Sequence, residues 1–190
     1  MRIAGIYSFN GGKEFVEENF PEQLAELKAA IKAIDASKAK TKKSKEQTMV
    51  GKMLYSPDAL NKAFRTQLPK PRWKNVREKC EYKPNYYEDD YATPIVKKAH
   101  PFRDMDFVKD KLGIEVQFGK YSFMVYNVCA KMTIFKNLGH IIAGIEVVPV
   151  KELADEMSTG VSYYEQFVWD LENRGVSNID IPVMIIGIAQ

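Results

Sequence analysis

Cysteine and histidine are scarce in this chain of 190 residues, which has two of each. Cys80 and Cys129 lie far apart, so neither a disulfide framework nor a clustered thiolate site is on offer. Cys129 falls in an apolar run and is expected as a buried, reduced thiol. His100 stands before Pro101 and His140 opens an apolar stretch, both outside metal-ligand spacing. A zinc centre or a Ser-His-Asp triad built on them is therefore excluded. Long apolar runs are missing too: none approaches a membrane span, and the N-terminus lacks the apolar core of a secretory signal. No membrane partner and a cytoplasmic, reduced location are expected. Charge of one sign is also lacking. A net charge of +3 and a pI near 8.7 tolerate a nucleic-acid partner without demanding one.

What is present suffices for one substantial core. With 45% hydrophobic and 12% aromatic residues, the chain is most simply a single domain over 1–190. Residues 2–7 suit a short strand broken by Asn10-Gly11-Gly12. Pro21 opens a helix over 22–34 whose Leu24, Leu27, Ile31 and Ile34 share one face, as scaffold or dimer surface. Lysines crowd residues 38–45, read as a solvated loop. Ser56-Pro57 reads as an N-cap and first-turn proline ahead of a helix carrying Leu60 and Phe64. A second basic cluster at 70–79 surrounds Trp73, and residues 80–101, rich in tyrosine and charge, read as an irregular insertion or arm. Residues 121–136 suit a largely buried helix, with Phe123, Asn127, Ala130 and Ile134 on one face and Met124, Val128, Met132 and Phe135 on the next. The run 141–148 is apolar except for Glu146 and fits a central strand covered on both faces. Ser162 and Glu165 make a capping-box pattern, Gly175 ends the following helix, and 182–189 form a last buried strand. The order predicts an α/β core with a central mixed sheet flanked by helices.

The chemistry concentrates in residues 104–120, D-M-D-F-V-K-D-K-L-G-I-E-V-Q-F-G-K. Ile114, Val116 and Phe118 alternate with Glu115 and Gln117, and Met105 and Phe107 alternate with Asp104 and Asp106. Two strands joined by a turn at 109–113 would set Asp106 beside Glu115. Two close carboxylates repel unless a cation sits between them. Hard oxygen ligands with few supporting groups suit Mg²⁺, which keeps much of its water.

Asp106, Glu115 and Gln117 resemble the active-site carboxylates and third polar residue of the PD-(D/E)xK nucleases, with glutamine where most members carry lysine. The run I-E-V-Q-F-G-K-Y-S-F (114–123) resembles the BstYI and BglII type of restriction endonuclease. The opening M-R-I with Tyr7-Ser8, the stretch from Ser44-Lys45-Glu46 to Leu54-Tyr55-Ser56-Pro57, Met157 to Glu165 and the terminal Ile186-Gly187-Ile188 are similar as well. No clear match is seen between about 70 and 103, taken as a divergent insertion or arm.

The resemblance implies a PD-(D/E)xK restriction-endonuclease-like fold and Mg²⁺-dependent phosphodiester hydrolysis of double-stranded DNA. Asp106 and Glu115 would hold the metal with the Val116 carbonyl as a further ligand, and Gln117 would orient the attacking water. Lys120 lies where it would contact guanine or phosphate, and the loop Met157-Ser158-Thr159-Gly160 corresponds to one that enters the major groove. A type II enzyme acting as a homodimer on a palindrome is implied, with a GATC core (RGATCY or AGATCT-like) and 5′ overhangs. A repair, recombination or modification-dependent nuclease of the same fold, or an inert DNA-binding protein, are the alternatives.

Overall fold

A computed structural model of the chain describes residues 1–81, 87, 88, 90, 91 and 101–190. The expected insertion over 80–101, including His100, falls largely outside them. In chain order the elements are β1 (Arg2–Phe9), α1 (Gly12–Asn19), α2 (Pro21–Ala33), the short β2 (Lys42–Lys43) and β3 (Met53–Leu54), α3 (Pro57–Gln67), β4 (Lys74–Lys79), β5 (Phe102–Lys109) and β6 (Leu112–Val116). There follow α4 (Tyr121–Tyr126), a wide turn Asn127–Lys131, α5 (Met132–Asn137), β7 (Ala143–Pro149), α6 (Lys151–Ala154), α7 (Tyr164–Arg174) and β8 (Val183–Ala189). Six strands make one mixed sheet in the order β1-β8-β7-β6-β5-β4. β6, β7 and β8 run parallel and the remaining pairs antiparallel, while β2 and β3 form a separate ribbon.

Each sheet face carries its own apolar layer. Ile114, Val116, Ile145, Val147, Ile186 and Ile188 pack with Leu24, Leu27 and Ile31 of α2 and Leu60 and Phe64 of α3. On the opposite face, Val148, Val183 and Ile185 meet Met124, Val128, Met132 and Phe135 of the α4–α5 helix and Phe167 and Leu171 of α7. β7, in the middle, is buried at every position, which is why its sequence reads as one apolar run. Ser56 caps α3 by accepting the Ala59 N–H at 3.3 Å, with Pro57 in the first turn. α7 sits close over the sheet because Gly187 has no side chain: a Cβ there would lie 2.6 Å from the Tyr164 ring.

Several expectations are corrected. The apolar stripe of α2 faces the chain's own core, so it is not a free dimer face. Asn10-Gly11-Gly12 breaks β1 but also starts α1, which the glycines concealed. Residues 74–79 are an edge strand of the main sheet, paired with β5, and Trp73 is buried beside it. Its K-N-V-R-E-K composition is that of a guarded edge. Phe123 and Ile134 are exposed, because the helix is interrupted by a π turn at Asn127–Lys131 and does not keep one α-helical phase. No capping box forms: Ser162 bonds Gly119, Glu165 accepts the Lys151 N–H, and Tyr163 stands at the N-cap of α7. Cys129 is half-buried rather than buried.

Candidate active site and DNA-facing loop

The hairpin β5–β6 turns through Asp110 and Lys111, both at positive φ (50° and 73°), the geometry of a two-residue turn matched to strand twist. Its pairing includes Lys109↔Leu112, Val108↔Gly113 and Phe107↔Ile114, and stops there. Beyond that point carboxylates take the backbone donors. The Asp106 N–H donates to Glu115 Oε1 at 3.3 Å, and the Val116 N–H donates to Asp106 Oδ2 at 3.2 Å. Asp106 and Glu115 are thereby cross-tied on adjacent strands, each holding the other's main chain.

A third carboxylate lies alongside. Glu146 on β7 is the register partner of Glu115 and is fully buried. Asn127 Nδ2 donates to its Oε1 at 3.1 Å, while its Oε2 has no partner among the described residues. Lys131, also buried, places Nζ 2.8 Å from Glu115 Oε1. The helix bearing Asn127 and Lys131 comes down on the sheet at Gly144, where a Cβ would meet Met132 Sδ at 2.4 Å. Burial pushes the Glu115 carboxyl up to about 8, against the opposing pull of Lys131. Burial also raises Asp106, offset in part by the Val116 N–H bond, and lifts Glu146 well above the carboxylate range with the charge of Glu115 adding to it. Three crowded carboxyl groups facing one ammonium make a site that favours added positive charge.

Gln117 stands two residues beyond Glu115, its N–H donating to the Val147 carbonyl at 2.9 Å. Its side-chain amide lies over Gly119 and makes no bond to either carboxylate among the described residues. Asp106, Glu115 and the Val116 carbonyl are few, hard oxygen donors, a set that fits Mg²⁺ retaining its own waters. Among the described residues no three His, Cys, Asp or Glu side chains are placed to enclose a metal ion. Asp104 and Asp106 line a cleft of about 480 Å³ whose rim carries Arg65, Lys70, Asn75 and Arg77.

The other predicted residues gather at the end of β6. Lys120 is exposed and bridges Val161 in antiparallel fashion. Ser162 donates twice to the Gly119 carbonyl, from N at 3.1 Å and from Oγ at 2.9 Å. Lys120 and the loop holding Ser158, Thr159 and Gly160 are thus tied to one edge, with Gly160 at φ 80°. Ser158 Oγ, Thr159 Oγ1 and the Thr159 N–H all donate to the Glu46 carboxylate, which these bonds, Ser158's first, hold down at about 2.

The family described as restriction endonuclease BglII/BglIII matches residues 4–188, nearly the whole chain. The chain belongs to the BglII/BglIII restriction endonuclease family. It is accordingly a type II site-specific deoxyribonuclease, a DNA-acting hydrolase of a restriction system, and enzymes of this kind generally need a divalent metal. No curated protein matches the sequence. Among solved structures, restriction endonuclease BglII complexed with a DNA 16-mer is similar at 21% identity and a TM-score of 0.73, over 100% of this chain and 79% of that one. Free BglII is similar at 20% identity and a TM-score of 0.63, over 100% and 80%. These two likenesses bear on the fold. Asn127, Lys131 and Glu146 also stand at this centre, which their positions in the sequence do not reveal. The one signal available was the lone glutamate in the apolar run 141–148.

Proposed function

We propose that the chain is a single-domain, Mg²⁺-dependent restriction endonuclease. It acts as a homodimer on a palindromic site with a GATC core, RGATCY or AGATCT-like, and leaves 5′ overhangs. The observation that carries the catalytic part is the cross-tie of Asp106 and Glu115 at the point where the β5–β6 ladder ends. Mg²⁺ there would lower the pKa of a coordinated water and offset charge on the scissile phosphate. Asp106, Glu115 and the Val116 carbonyl would hold it. The Gln117 amide reaches the attacking water by leaving its place over Gly119, and as a neutral group it orients rather than charges. Arg65, Lys70 and Arg77 give the cleft beside Asp106 a cationic rim suited to a phosphate backbone. Lys120, Ser158, Thr159 and Gly160 face the major groove, where Ser158 and Thr159 exchange Glu46 for base edges. One active site per chain makes a twofold dimer the simplest way to cut both strands, and twofold symmetry demands a palindrome. Plasmid digestion in Mg²⁺, sequencing of the ends and light scattering test this together. Discrete fragments cut symmetrically about GATC by a dimer are expected; a monomer on and off DNA, or ends without twofold symmetry, contradict it.

A further inference from the structure

Gln117 leaves the catalytic centre short of fixed positive charge. Phosphodiester hydrolysis builds negative charge on the phosphoryl oxygens, and a neutral amide answers that poorly. The ammonium bonded to the centre comes from a different element. Lys131 lies 2.8 Å from Glu115 Oε1 with its side chain only 10% exposed. A lysine on a helix beside solvent normally extends its amine into water. This one is held inward on a π turn, Asn127–Lys131, a local widening often found at functional sites. Asn127, at the start of the same turn, is buried and bonded to Glu146. The turn therefore commits two polar side chains to two glutamates that are register partners on adjacent strands. Packing alone accounts for neither, since the neighbouring inward positions are Val128, Met132 and Phe135.

We propose that Lys131 is a positioning residue of the catalytic centre: its ammonium, 2.8 Å from Glu115 Oε1, holds the Glu115 carboxyl group in place and brings to the site, from the helix, the fixed positive charge that Gln117 lacks. This rests on Glu115 being a catalytic carboxylate. The test uses Lys131→Met, which keeps the apolar stem, and Lys131→Arg, which keeps the charge. Lys131→Gln replaces the methionine variant should that one not fold. Single-turnover cleavage in Mg²⁺ is expected to slow on the order of 100-fold in Lys131→Met and to recover at least about tenfold in Lys131→Arg. DNA affinity in Ca²⁺ should stay within about threefold of wild type, since binding is uncoupled from the chemical step. Relative to EDTA, Ca²⁺ should raise the Tm of Lys131→Met by more than it raises that of wild type, because the divalent ion restores the missing charge. Cleavage by Lys131→Met within about threefold of wild type overturns the proposal, provided Glu115→Gln is inactive. So does an arginine variant no faster than the methionine one, or equal Ca²⁺ shifts in Tm. Wild-type cleavage by Glu115→Gln would instead reject the underlying assignment of the site.

Discussion

Replacing Glu146 by glutamine should stabilise the metal-free enzyme, increasingly so as pH rises. Glu146 is fully buried on β7, with one oxygen bonded to Asn127 at 3.1 Å and the other without a partner among the described residues. Burial, and then the charge of Glu115, raise its pKa well above the ordinary 4.5. The folded chain thus holds a proton that the unfolded chain releases. Stability is complete below the unfolded value and falls as pH climbs above it, by about 1.4 kcal/mol per pH unit for as long as the folded carboxyl stays protonated. Glutamine has nearly the same volume, still accepts from Asn127, and puts a neutral amide where Oε2 has no partner. Glu146→Gln should match wild type near pH 4.5 and gain on it as pH rises, by at most about 1.4 kcal/mol per unit and only while the folded Glu146 carboxyl stays protonated. Asp106 and Glu115 are raised in the same direction, so the variant keeps a shallower downward slope of its own. Urea denaturation in EDTA at a series of pH values between about 5 and 8 reads the difference directly. Parallel profiles for the two proteins would show that folded Glu146 carries no extra proton.

At the DNA-facing edge, alanine at Lys120, Ser158 or Thr159 should cost about 1–3 kcal/mol and relax discrimination at one position of the half-site if the residue reads a base; binding titrations on variant sites would show uniform weakening for all three if none does. Gly187→Ala would press a methyl into the Tyr164 ring, 2.6 Å away, and should cost about 1–3 kcal/mol in chemical denaturation, partly recovered by adding Tyr164→Leu. Ser56→Ala removes the acceptor for the Ala59 N–H and should cost about 1 kcal/mol, read from the denaturation midpoint; no change would show that Pro57 alone fixes the start of α3.

The hairpin bearing Asp106 and Glu115 was legible because strict alternation and a polar turn are local signals. β7 and β8 were legible as apolar runs, and α2 and α3 through their first-turn prolines. What stayed hidden depends on contacts distant in sequence. β4 has no apolar alternation, since an edge strand buries little and carries charge to protect its open side. The pattern Ser162 with Glu165 is a sound local cap, overridden by two bonds from Ser162 to Gly119 that fasten the loop to the end of β6. Asn127 and Lys131 read as one amphipathic helix with their neighbours, because nothing local reports that Glu146 and Glu115 wait across the interface. Glu46 was visible only as part of a matching stretch; its hold on Ser158 and Thr159 bridges more than a hundred residues.

Asp106 and Glu115 as the catalytic centre are tested by plasmid cleavage in Mg²⁺ with Asp106→Asn and Glu115→Gln, alongside DNA binding by the same variants in Ca²⁺. Both variants should bind DNA nearly as wild type does, and neither should cut it. Near-normal cleavage by either variant would place the catalytic carboxylates elsewhere.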